Sequence, residues 1–114
     1  MTTVIIRKDK NNAYQGFTCM GHAGYARRRL FRREPDILCA AVSVLTFSLM
    51  NSLEELAGEH IKVTQNEETG FINCVFEESL QDKSIFLMDS FAFSMENLSR
   101  QYGEQYLTVK IEEV

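Results

Sequence analysis

The chain has 114 residues, 45% of them hydrophobic and 25% charged, which is ordinary globular usage with enough apolar material for one core. That composition excludes a disordered chain and predicts a single domain over residues 1–114. Twelve Lys and Arg against sixteen Asp and Glu leave a net charge of −4, opposite in sign to that of a whole-chain nucleic-acid binder.

Thr3 to Arg7 is rich in β-branched residues and reads as a strand. The leading MTTVIIRKDK lacks the charged-then-apolar layout of a signal sequence, so a cytoplasmic location is expected. A polar turn, Asp9 to Asn12, leads to Tyr14–Met20, where Tyr14, Gly16, Thr18 and Met20 alternate with Gln15, Phe17 and Cys19. The two runs predict a hairpin. Gly21 to Pro35 has a different, basic character. From Asp36 to Ala57 the apolar residues Leu38, Ala41 or Val42, Leu45, Leu49, Leu53 and Leu56 recur every three to four positions, the mark of a helix with one buried face. Pro35 and Asp36 suit its start and Gly58 its stop. Its longest apolar run, Ile37 to Leu45, is interrupted by Ser43 and falls far short of a bilayer span, so no membrane partner is expected.

His60–Gln65 and Phe71–Phe76 flank Asn66 to Gly70 and predict a second hairpin, with Ile61 and Val63 facing the core. Ser79 with Asp82 resembles a capping box, opening a second helix that carries Ile85, Met88, Phe91 or Ala92, Met95, Leu98 and Tyr102. Gly103 closes it, and Tyr106 to Ile111 alternates again as a final strand. The order ββαββαβ predicts an α+β two-layer sandwich: a mainly antiparallel sheet with two long helices on one face. Tyr14, Phe17, Met20, Phe71, Phe76 and Tyr106 are many large groups for the uncovered face, which predicts a homodimer.

Gly21 to Ser43 carries the chemistry. His22 follows the second strand between Gly21 and Gly24, where backbone can turn sharply and approach a ligand. Cys39 lies three residues after the expected cap, in the first turn of the long helix, where unpaired amides and the positive dipole end favour a thiolate. A histidine within reach would reinforce that and serve as general acid. By residue type alone, a cysteine in an apolar helix is core filler and a histidine after a strand is a surface or capping residue. Small neighbours at Ala40 and Ala41 allow close approach to the helix end, and on the residues alone both readings stand. Cys19, His22, Cys39 and His60 make an improbable metal set, because positions three apart on a strand face opposite sides; no metal and no cofactor are expected. Three cysteines without a C-x-x-C pair argue against a disulfide framework or zinc ribbon. Cys74, Met88 and Met95 read as core.

Gly21-His22-Ala23, an intervening loop, and then Asp36-Ile37-Leu38-Cys39-Ala40-Ala41-Val42-Ser43 resemble the ribosomal-processing cysteine protease family, Prp. Two separated blocks stand in the family's order, with Leu38 where Val is frequent, and the element order fits across nearly all of the chain. The resemblance implies a homodimer and a dyad of His22 and Cys39. It implies removal of a short N-terminal extension from bacterial ribosomal protein L-twenty-seven, after an apolar and aromatic stretch. In that mechanism Cys39 attacks the scissile carbonyl, His22 protonates the departing amine, and water activated by His22 releases the acyl enzyme. Amides around Cys39 and Ala40 are the expected oxyanion donors, and Gly21 supports the turn into His22. Asp36 either caps the helix or orients His22.

Arg27, Arg28, Arg29, Arg32 and Arg33 crowd into seven positions, so residues 24–36 carry +3 against −7 for the rest. A mobile, solvated loop that closes over substrate is the expectation, with contact to ribosomal RNA or an acidic partner as the sharper reading. Leu30 and Phe31, its only large apolar pair, would pack on the substrate or pin the loop to the core. The competing function is a non-catalytic ribosome- or RNA-associated binding module using this arginine-rich loop. Glu54, Glu55, Glu67, Glu68, Glu77 and Glu78 read as solvated and could attract a basic substrate.

Overall fold

The structure, a computed structural model, describes residues 1–21 and 34–114, with the backbone alone over 34–36. Its elements are β1 (Thr2–Lys8), β2 (Tyr14–Gly21), α1 (Glu34–Asn51), β3 (Ile61–Asn66), β4 (Phe71–Phe76), α2 (Asp82–Tyr102) and β5 (Leu107–Glu113). They form one five-stranded sheet in the order β3-β4-β2-β1-β5, antiparallel except for the parallel pair β1–β5. The α+β architecture and the element order are as the sequence predicts. Helix α1 connects β2 to β3, and α2 connects β4 to β5; each pair of strands runs parallel. The two crossovers leave strands of opposite sense and travel in opposite directions across the sheet. Right-handedness of both therefore puts both helices on one face.

The core lies between that face and the helices. Val4 and Ile6 of β1, Phe17 and Cys19 of β2, and Cys74 of β4 meet Leu38, Val42, Leu49 and Leu53 from the first helix and Met88, Phe91 and Met95 from the second. The Phe17 ring lies 5.1 Å from Phe91 and 6.4 Å from Phe76, centroid to centroid, within the range of favourable tilted pairs.

Several expectations are corrected by this packing. Register runs Arg7↔Gly16 and then Lys8↔Tyr14, so Gln15 is an extra, bulged residue. The bulge resets the alternation and turns Tyr14 to the helix side with Phe17, where its hydroxyl donates to Asp89 of α2. Tyr14, Phe17 and Phe76 are thus buried core residues, and the premise of an aromatic surplus on the uncovered face fails. What lies on that face is Arg7, donating to Thr18 Oγ1 at 2.6 Å and Asn73 Oδ1 at 2.8 Å. Met20 and Val75 share that face and are partly exposed, while the more exposed apolar groups Val44, Leu56, Phe86 and Phe93 stand on the helix layer.

Helix α1 ends in one π turn, Ser52–Leu56, with Ala57 N–H donating to Ser52 O at 2.9 Å. The wider turn keeps Leu53 buried but carries Leu56 out to 80% exposure, contrary to its expected core position. Val63 is exposed because β3 is an edge strand at the rim of the helix layer. Ile85 is off the buried stripe Ser84, Met88, Phe91, Met95. The Ser79–Asp82 capping box does not form. Gln81 is the N-cap, and its backbone N–H and side-chain amide both donate to Glu59 Oε2, at 3.0 and 3.2 Å. The carboxylate that steadies this helix start is therefore 22 residues upstream in sequence. By length and apolarity alone Ile37–Leu56, with mean hydropathy 1.6, matches a membrane span. An interrupted apolar run misses this because hydropathy sums over the whole helix; here its inward face fills the core.

Candidate active site

The start of α1 at Glu34 places Asp36 inside the first turn and Cys39 in the second. The helical ladder pairs each amide with the carbonyl four residues before it, so the amides of Cys39 and Ala40 are not the free ones. The unpaired amides of a helix belong to its first turn, and the dipole's influence falls off beyond it.

Cys39 opens into a cleft of about 220 Å³. Ser43 and Phe47, four and eight residues on, line the same cleft, as do Val42 and Thr46, so one stripe of α1 forms its first wall. The helix-facing side of the sheet, through Thr2, Cys19 and Gly21, forms the floor. The β3–β4 hairpin forms the opposite wall through Asn66, Glu67, Phe71 and Ile72. Gly21 is glycine for two reasons: its φ is +87°, and a Cβ there would lie 2.3 Å from the Met1 carbonyl oxygen.

The three thiols occupy different environments. Cys19 and Cys74 are buried, and Cys39 is half-buried. Burial pushes the Cys19 thiol up to about 11, opposed by the Thr46 hydroxyl 3.6 Å away. Burial pushes Cys74 up to about 12, opposed by the Arg7 charge. Both are held as neutral core thiols. His60 stands apart from them, pairing with Glu78 at 3.1 Å on the surface.

Of the residues expected in the site, Cys39 and Gly21 come to the same cleft. Ala40 is exposed on α1. Only the backbone of Asp36 is described, and His22, Leu30, Phe31 and all five loop arginines lie outside the described residues. Thr46, Phe47 and the hairpin wall are cleft residues that the sequence reading missed. Thr46 and Phe47 were legible as the helical stripe of Cys39; the hairpin had no local signal, because only tertiary packing brings it there.

Prp from S. aureus in complex with a covalently linked product peptide superposes with a TM-score of 0.81 and 18% identity, over 98% of this chain and 100% of that one, a likeness of fold. The crystal structure of SMU.848 from Streptococcus mutans gives a TM-score of 0.81 at 25% identity, over 100% of this chain and 96% of that one. The ribosomal processing cysteine protease Prp of Bacillus subtilis (strain 168) is 27% identical over 108 residues, covering 91% of this chain and 92% of the relative. The match to cysteine protease Prp runs over residues 1–107, and with a half-buried cysteine opening into a cleft within that span, the chain belongs to the cysteine protease Prp family.

Proposed function

We propose that this protease removes the N-terminal extension of bacterial ribosomal protein L-twenty-seven, with Cys39 as nucleophile and His22 as its acid–base partner. The observation that carries the reading is the half-buried Cys39 thiol at the head of an apolar-walled cleft wide enough for a substrate side chain. Gly21, the covalent neighbour of His22, lines that same cleft. Cys39 Sγ, its proton passed to His22, adds to the scissile carbonyl; the tetrahedral adduct collapses as His22 returns the proton to the leaving amine. Water then adds to the thioester, giving up a proton to His22, and the acid product and Cys39 are restored. Asp36 acts from the first helical turn, either favouring the helix start or orienting His22. The reaction takes place in the cytoplasm. Full-length substrate protein incubated with the enzyme should lose its extension by mass. No shortening by wild type, or undiminished shortening by Cys39→Ala, ends this reading; retained ribosome binding in that case favours the arginine-rich loop as an RNA contact.

The working unit is a homodimer joined through the helix layer rather than the bare sheet face. Leu56 and Phe86 line one groove there, and Val44 lines another with Ser94 and Asn97, so exposed apolar groups extend across both helices. Light scattering at micromolar concentration should report twice the 13.1 kDa chain mass. A stable species of one chain mass refutes the dimer.

A further inference from the structure

We propose that Glu67 is a specificity-determining residue, selecting a lysine or arginine side chain in the peptide held against Cys39. The inference rests on the protease reading above and adds the charge of the substrate to it. Among the described residues lining the cleft, Glu67 is the single side chain that carries a charge at neutral pH. Its carboxylate has no hydrogen bond or ion pair among the described residues.

Its backbone, by contrast, is tightly held. The β3–β4 ladder closes at Asn66↔Phe71, and Gly70 N–H donates to the Glu67 carbonyl at 3.3 Å. Asn66 Oδ1 accepts from Glu68 N–H at 3.0 Å and Thr69 N–H at 3.4 Å, so the turn is braced from inside. A carboxylate on a fixed turn with nothing among the described residues to neutralise it, in the same cleft as the nucleophile, is positioned to meet a cation arriving with the substrate. A lone carboxylate is too few ligands for a divalent metal ion. Phe71 and Ile72 beside it supply apolar wall, which suits the methylene stem of lysine or arginine while the charged head reaches the rim.

The probes are peptides with an apolar segment before the scissile bond, in which one position at a time is Lys, norleucine or Glu. Wild type, Glu67→Gln and Glu67→Lys are compared for kcat/KM. Binding of the same peptides is measured by fluorescence anisotropy on Cys39→Ala carrying each of the three residues at 67. At one position wild type should favour Lys over norleucine by about two- to fivefold, since the carboxylate is solvent-exposed. That preference should fade at about 0.5 M NaCl, vanish in Glu67→Gln and invert towards Glu in Glu67→Lys. An unchanged preference in all three proteins, or none at any position, overturns the proposal. If no peptide is cut, the protease reading fails separately, and the anisotropy ranking decides Glu67 by the same criteria.

Discussion

Alkylation of the folded protein with iodoacetamide at pH 7 should modify Cys39 well before the other two thiols. The thiolate is the reactive form. A thiol in an unfolded chain, with a pKa of about 8.5, is about 3% ionised at pH 7. Burial holds Cys19 at about 11, leaving about 0.01% thiolate, and Cys74 at about 12, leaving about 0.001%. Ionisation alone therefore slows them roughly 300-fold and 3,000-fold relative to the unfolded chain, and their burial keeps the reagent out besides. Cys39 has an open approach through the cleft. Samples quenched over time, digested and read by peptide mass should show Cys39 modified at least about a hundredfold faster than either buried thiol. Cys39→Ala should take up almost no label until denatured, whereupon Cys19 and Cys74 both react. Labelling of Cys19 or Cys74 within about tenfold of Cys39 would show that the cleft does not distinguish the thiols, and the argument for Cys39 as nucleophile would lose its structural basis.

Gly21→Ala should lower Tm by about 5–10 °C, because the left-handed backbone alone costs about 1–2 kcal/mol and the new methyl group meets the Met1 carbonyl; calorimetry showing no change would remove that constraint. Stability should fall as pH rises from about 9 towards 11: unfolded thiols ionise near the bottom of that window, while Cys19 and Cys74 stay protonated to about 11 and 12. The unfolded chain then binds fewer protons than the folded one, and chemical denaturation at pH 8 and 10.5 should give the lower midpoint at the higher pH; equal midpoints refute it. Phe31→Ala is expected to reduce kcat/KM by about ten- to a hundredfold, the 1–3 kcal/mol of one aromatic contact, with Tm unchanged. A lowered Tm with kcat/KM intact would assign Phe31 to anchoring the loop.

Local periodicity was enough for the elements and their order, because strand alternation and helical spacing are properties of neighbouring residues. Gly58 and Gly103 stopped their helices as their composition suggested, both with positive φ. The candidate nucleophile was likewise legible, since a cysteine near a helix start flanked by small residues is a local pattern. The misplacements arose where backbone geometry or a partner outside the local pattern decided the outcome. Tyr14 changed faces because its neighbour Gln15 bulges against β1. Leu56 left the core because the last turn of the first helix widened. Ser79 was not needed as a cap because Glu59 supplied a carboxylate from across the helix layer.

The same division holds at the site. The 114 residues by themselves determined that an α+β chain presents a cysteine on an amphipathic helix after a glycine-terminated strand. Only the tertiary structure decided that Cys39, half-buried against the core, also lines a cleft, and that the far wall is the β3–β4 hairpin with Glu67 on it. The physical reason is the crossover through α1, which carries the chain from β2 past β4 to the edge strand β3. That long-range step sets the turn of a hairpin opposite a helix whose own residues carry no record of it.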